Sequence, residues 1–462
     1  MAATSSDIHH LRRERERRAW LTSKVSIMSR AVTYGARLVV IPLSLKLLGN
    51  EQYGLWLTIG SLVAWLSMSD FGFSQGLINA IAEASGQDDQ LAIRRLVSSG
   101  FALFAVLSSI LGFFVIWGSS WSLLYRLVGV EGNPGLTRDA HLLILICGLF
   151  FAASLLFRGI DAVCQGLQEG YVSAWFGIGS TILNLGAVAF LYWQGGTLGM
   201  YAVAMAAPPV FATLVLGIYL FAVRHREFRP SLRYLDRSAF RTLFHFGGPL
   251  FVLQLSYLAM LYSVNLLIAS RLGPAQVPRY AVPYALFAIV VGACFSLSQP
   301  YIPAYAEASS RGDFAWVRRR AVRTLAVTVG IMAAVSAVFT GIGRWLIQWW
   351  AGPSVVPRFG FLLVMSLFAI LRVANDTDGT LLIGLGRVWA KAALQSVEAA
   401  IFIVGAWLML PSMGLTGIPL AGVLALAADP IVSLPYSFSY MKREAVKFVA
   451  AFQPQAVTLD AD

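Results

Sequence analysis

Two arginines stand inside a stretch that is mostly apolar. Arg30 and Arg37 lie seven residues apart in SKVSIMSRAVTYGARLVVIPLSLKLL. On a helix, Ser26, Arg30, Thr33, Arg37 and Ser44 fall on one polar stripe. A guanidinium is a planar fork of donors that matches phosphate oxygens two at a time, so this stripe suits an anion. A charge at mid-bilayer costs roughly 2.5–3.5 kcal/mol on insertion scales, so it belongs in a watered, protein-enclosed space. The competing account is packing, with the arginines paired to Asp70 or Asp161. Arg158 and Asp161, three residues apart, can pair locally or serve the same cavity. Gln75, Gln254 and Gln299 are further polar positions expected to line it. A second group comprises Arg372, Asp376 and Asp378 around Asn375, with Glu398 and Asp429 further along. Such acids could host a coupling cation or proton; equally they sit neutral, or paired with Arg372 and Lys391.

The elements that position these groups are membrane helices. The chain has 462 residues, 58% hydrophobic and 13% charged, where a soluble globule carries about 25% charged residues. Apolar runs of about 20 residues recur throughout, without period-two alternation, which predicts an all-α polytopic membrane protein. Twelve spans are expected, at 25–47, 53–80, 98–118, 139–164, 171–193, 198–223, 244–270, 277–303, 322–342, 359–385, 389–410 and 415–440. They divide into a basic tail (1–21), an N-lobe (22–223), a basic linker (224–242), a C-lobe (243–440) and a C-terminal tail (441–462). Ala-Ala-Pro-Pro at 206–209 and Ala-Ala-Asp-Pro at 427–430 are expected to break spans six and twelve. Cys147, Cys164 and Cys294 lie in apolar runs and read as buried thiols. The polar first 20 residues, with LRRERERR, do not read as a cleavable signal.

The two halves are copies. SDFGFSQGLINAIAEASGQDDQLAIRR returns as SLSQPYIPAYAEASSRGDFAWVRR at a shift of 224 residues. There are roughly 17 identities in about 48 ungapped positions, the mark of a duplication. A weaker match at a shift of 218 sets Gly166-Leu167 against Gly384-Leu385, and Gly196 and Gly199 against Gly414 and Gly417. Six spans per copy is an even number, so the repeats run parallel. At the first shift Arg30 and Arg37 meet Gln254 and Leu261, so the cationic stripe belongs to the N-lobe alone.

The net charge of +12 is topological rather than a nucleic-acid signal. With the N-terminus inside, Lys and Arg favour the inner loops about three to one, which puts both termini in the cytoplasm. The two repeated turns then face the cytoplasm. Glu83 with Arg94 and Arg95, and Glu307 with Arg318 and Arg319, read there as gate or topology residues. Asp70-Phe71-Gly72 spells a kinase metal motif without its companions, and no Walker motif is present, so neither cofactor nor catalysis is expected.

LKLLGNEQYGLW followed by SDFGFSQGLINAIAEASG, with SRLGPAQVPRYAV at 270–282, resembles the polysaccharide transport family of oligosaccharide flippases. These group with the MATE multidrug exporters in one superfamily. The resemblance spans about residues 22–440. It implies two six-helix lobes in a V around a cavity, rocking to carry a polyprenyl-pyrophosphate-linked oligosaccharide across the bacterial inner membrane. It also implies membrane lipids, a polysaccharide polymerase and glycosyltransferases as partners. The alternative within the fold is a cation-coupled drug exporter, which would prefer an anionic cavity. A membrane-embedded polymerase would need a large outer loop bearing catalytic groups, and the longest outer loop here has about 20 residues and no acid/base constellation.

Overall fold

A computed structural model describes residues 5–236 and 248–452 of the chain. Among the described residues the regular structure is helical, with no strand. Arg237 and Arg241 of the linker, and the side chains of Asp429 and Lys447, lie outside what is described. Among the described residues, ten helical stretches are long and apolar enough to cross a bilayer. Lys24–Leu66 has 43 residues and Val388–Val446 has 59, so each holds two crossings. The chain forms two compact units, Met1–Phe251 with Leu272–Val277, and Val252–Arg271 with Pro278–Asp462.

The first unit is built from α1 (Ser5–Leu66), α2 (Phe73–Gly86), α3 (Gln90–Gly118), α4 (Ser122–Val128), α5 (Pro134–Gly166), α6 (Gly170–Gln194) and α7 (Leu198–Tyr219). Gly49, at φ 69°, divides α1 into two passes. This backbone region is open to glycine at no steric cost. The run expected as one helix over 53–80 is in fact broken. Phe71 (φ 46°) and Gly72 (φ 80°) turn the chain, and the Asp70 carboxylate accepts bonds from the Ser74 amide (3.2 Å) and hydroxyl (3.1 Å). A side chain that serves the next helix's first turn in this way competes with continuing the previous one. Packing of α2 on α5, of α3 on α5 and of α5 on α7 buries Leu77, Ile81, Val97, Phe104, Leu155 and Leu216.

The second unit holds Val252–Arg271 of α8 (Gly248–Leu272), α9 (Val277–Ser298) from Pro278 on, α10 (Tyr301–Ser310), α11 (Phe314–Ala351), α12 (Phe359–Gly384), α13 (Val388–Met413), α14 (Gly417–Leu426) and α15 (Ala428–Phe452). Here too the span expected over 277–303 is interrupted, between α9 and α10. Pro300 lacks the N–H that would continue the ladder. α12 packs against α10, α11, α13 and α14 and is the most enclosed helix of this unit.

The duplication is visible in the backbone. Gly49 and Gly273 both have positive φ, as do Asp88 and Gly312, and Gln168 and Gly386. Asp89 caps α3 through the amides of Leu91 and Ala92, and its counterpart Asp313 caps α11 through Trp316. The proline expectation is half right. Span twelve does break, at Ala427, ahead of Pro430, but α7 runs through Pro208 and Pro209. Pro209 leaves the Met205 carbonyl without its helical donor, and Asn184 Nδ2 of α6 supplies one at 3.1 Å. Large exposed apolar side chains such as Phe113, Trp117, Ile182, Trp193 and Trp349 cover the outside, as a lipid-facing surface requires.

The linker does not hang free of the first unit. Phe228 is buried among Ile93, Leu96 and Leu220. The Ser231 amide donates to Ser98 Oγ (3.1 Å) and the Asp236 amide to Ser99 Oγ (3.0 Å). Arg95 pairs with Asp236 at 3.4 Å, and Arg94 stands over the Tyr234 ring. The turn arginines of this copy therefore hold the linker rather than Glu83. In the second copy Glu307 pairs with Arg311 at 2.6 Å, while Arg318 stands over Phe438.

Candidate functional site

The charged groups fall into four places, three in the first unit and one in the second. On α1, Arg30, Thr33 and Arg37 are exposed along one face. Thr33 returns its hydroxyl to the Ser29 carbonyl (2.8 Å), and Arg37 makes no ion pair with a described residue. The stripe ends earlier than its spacing suggested. Ser44 is fully buried and meets the Tyr201 hydroxyl at 2.7 Å, so the upper part of α1 turns its polar group into the unit. What remains is a pair of guanidinium groups two turns apart on an exposed face.

Arg158 does not pair with Asp161. It reaches Asp70 at 3.1 Å, and Asp161 takes its hydrogen bond from the Ser173 hydroxyl of α6. The break after Asp70 is what aims that carboxylate at α5. A reading by spacing along one helix misses it. Gln75 is exposed and bonds Asn79 one turn on (3.2 Å); Gln254 and Gln299 are exposed in the second unit.

At the linker end of the first unit stands a triad that spacing did not reveal. Glu169, 2% exposed, accepts two bonds from Arg224 at 2.7 and 2.8 Å and one from His225 Nε2 at 3.3 Å. Arg224 also donates to the Tyr171 hydroxyl (3.0 Å). Burial alone would raise the Glu169 pKa, but the bonds from His225 and Arg224 outweigh it and hold the group down to about 2. The same carboxylate raises the His225 pKa, against the opposing effect of burial. The residues are 55 positions apart, and only the turn at Gln168 (φ 60°) brings the glutamate beneath α7.

The second unit encloses the acids. Arg372, Asn375, Asp378, Lys391 and Glu398 are all buried. Arg372 pairs with Asp376 at 3.1 Å and lies 4.9 Å over the Tyr257 ring. Asn375 Nδ2 donates to both Glu398 oxygens (2.9 and 3.0 Å), and Lys391 Nζ donates to the Asn375 carbonyl (3.4 Å). Ser433 of α15 donates to Asp378. The group is thus a mixed-charge cluster tied across α12, α13 and α15. Asn375, Lys391 and Ser433 are members that a search for acids alone does not select. The side chain of Asp429, the remaining sequence candidate, lies outside the described residues.

Residues 22–309 match the family model described as "Polysaccharide biosynthesis protein". The chain belongs to that family. A "Putative O-antigen transporter" of Salmonella typhimurium is 22% identical over 427 residues, covering 89% of this chain and 94% of that protein. A "Probable multidrug resistance protein NorM" of Rhizobium meliloti is 25% identical over 349 residues, covering 69% and 72%. Among solved structures, an inward-facing multidrug resistance MATE family transporter of the MOP superfamily is similar with a TM-score of 0.76 at 14% identity, over 92% of this chain and 98% of that one. An outward-facing MATE transporter gives 0.63 at 14%, over 93% and 96%. These similarities establish a multi-pass helical membrane protein of MATE-like fold in the polysaccharide biosynthesis family, whose relatives are named as transporters.

Proposed function

We propose that this chain moves a polyprenyl-pyrophosphate-linked oligosaccharide from the cytoplasmic to the periplasmic leaflet of the bacterial inner membrane. The two units alternate access to the lipid-linked sugar, for O-antigen, capsule or exopolysaccharide assembly. Both termini lie in the cytoplasm, where glycosyltransferases build the substrate; a polymerase takes it on the other side. The observation that carries this reading is the exposed Arg30–Arg37 face of α1. Two guanidinium forks two turns apart give a diphosphate more than one bidentate contact, and an exposed cationic face has no use in lipid. Arg158, Asp70, Asp161, Gln75, Gln254 and Gln299 are the polar groups that would flank the path. The test is complementation of a deletion strain. Arg30→Ala and Arg37→Ala insert and fold normally but fail to restore surface polysaccharide; full restoration by both removes the anion site.

The second reading is a cation-coupled drug exporter, favoured by the similarity to NorM proteins. It would place the coupling ion among Asp376, Asp378, Glu398 and Asp429. Drug susceptibility that rises on deletion, with surface polysaccharide unchanged, is the result that selects it.

A further inference from the structure

We infer that the ammonium of Lys391 is the built-in counter-ion of Glu398, so that this buried carboxylate is balanced from within and needs no metal ion from solution. The inference does not rest on what the protein carries.

Three observations converge. Lys391 and Glu398 lie seven residues apart on α13, hence on one face, and are 3% and 1% exposed. Both are tied to one residue of α12: the Asn375 side chain holds the carboxylate and its carbonyl accepts from Nζ. An ammonium and a carboxylate placed this deep are tolerated only when each offsets the other and their remaining bonds are made.

Room for the lysine has been made on α12. A Cβ added at Gly379 would stand 3.0 Å from Lys391 Cε and 3.8 Å from Nζ. The aliphatic stem therefore crosses α12 where a side chain is missing.

The internal symmetry shows what was exchanged. At the 218-residue shift Gly379 corresponds to Asp161 and Lys391 to Ser173. In the first unit those two positions also touch, since Ser173 donates to Asp161. One copy thus has an acid facing a hydroxyl; the other has removed the acid and put an ammonium in its space. Arg372 is already engaged with Asp376, which leaves Lys391 as the cation for Glu398.

The test uses the full chain in lipid nanodiscs. Its thermal midpoint is measured in NaCl, KCl, LiCl and choline chloride at equal ionic strength, for the native protein, Lys391→Met and Lys391→Met/Glu398→Gln. The native midpoint is the same in all four salts. Lys391→Met lowers it by several degrees, because one charge is left buried alone, and adding Glu398→Gln recovers most of the loss. A saturable rise of the native midpoint in Na⁺, K⁺ or Li⁺ over choline overturns the inference, and this arm needs no variant to fold. So does a double variant no more stable than Lys391→Met.

Discussion

Gly384 lies directly against Tyr305: a Cβ on the glycine would come within 2.7 Å of the tyrosine Cβ and 2.9 Å of the Ile302 carbonyl oxygen. One repeat earlier, Gly166 does the same to Ile81 (2.7 Å) and the Ile78 carbonyl (3.1 Å). Ile78 and Ile302 correspond at one shift and Gly166 and Gly384 at the other. Two sequence matches of different register therefore meet in a single packing contact, between the short helix after the break and the end of the fourth long helix.

Substitution there is expected to be costly. At Gly384 and Gly166 the obstructing atoms are a Cβ and a backbone oxygen, which cannot swing away, so Gly384→Ala and Gly166→Ala each destabilise by about 1–3 kcal/mol. Gly179, within α6, meets nothing within 4 Å. Gly179→Ala is expected to be neutral or to stabilise by up to about 1 kcal/mol, from helix propensity. Denaturant midpoints of the three variants check the order.

Asp70 and Arg158 are expected to act as a pair. Their side chains are 13% and 29% exposed, between a surface pair and a buried one. A cycle of Asp70→Asn, Arg158→Gln and the double variant should give a coupling of about 0.5–3 kcal/mol. Asp161 makes no direct ion pair with Arg158, so Asp161→Asn should show a smaller coupling with Arg158→Gln. A larger coupling to Asp161 instead would restore the local pairing that spacing suggests.

The Glu169 triad gives stability a pH dependence of known sign. Folded His225 holds its proton more tightly than the unfolded chain does. Its contribution is therefore complete below about pH 6.5 and is lost as pH rises through the raised folded value. Glu169 behaves oppositely: its contribution stands above the ordinary carboxylate value of 4.5 and is lost as pH falls towards about 2. The thermal midpoint should therefore fall as pH rises from about 6.5 through the raised folded value of His225, and Glu169→Gln should flatten that fall and cost about 1–3 kcal/mol. An unchanged slope in Glu169→Gln would remove His225 as the titrating group.

Asn184 has a backbone to satisfy. Asn184→Leu strands the Met205 carbonyl opposite Pro209 and is expected to cost about 1–3 kcal/mol. Restoring an N–H with Pro209→Ala in the same chain should recover part of it. Thermal unfolding of the single and double variants is the check.

Helix content, the duplication and the enclosure of the Arg372–Glu398 region were legible because hydropathy and self-similarity are carried by many residues at once. What was not legible depends on single turns. Arg158 and Asp161 looked like partners because they are three apart on a helix, but the bend at Phe71–Gly72 delivers Asp70 instead. Glu169 looked like a loop residue until the Gln168 turn set it under Arg224 and His225. Pro208–Pro209 looked like a break because propensity outweighs neighbours in a single sequence, whereas Asn184 makes continuation possible. Lys391 was visible as a lysine in an apolar run, but the glycine that admits it is meaningful only once Asp161 is seen in the same place one copy earlier.

The central claim concerns the two arginines of α1, and vesicles holding only this protein test it most directly. A labelled polyprenyl-pyrophosphate-linked oligosaccharide is placed in the outer leaflet and its movement inward is followed. The native protein should move it. Arg30→Ala and Arg37→Ala should each lower the initial rate at low substrate roughly ten- to a hundredfold, the loss of about 1.5–3 kcal/mol in charge-assisted bonds to phosphate. Equal rates in native and Arg30→Ala/Arg37→Ala vesicles, or no transfer above protein-free vesicles, would contradict the account.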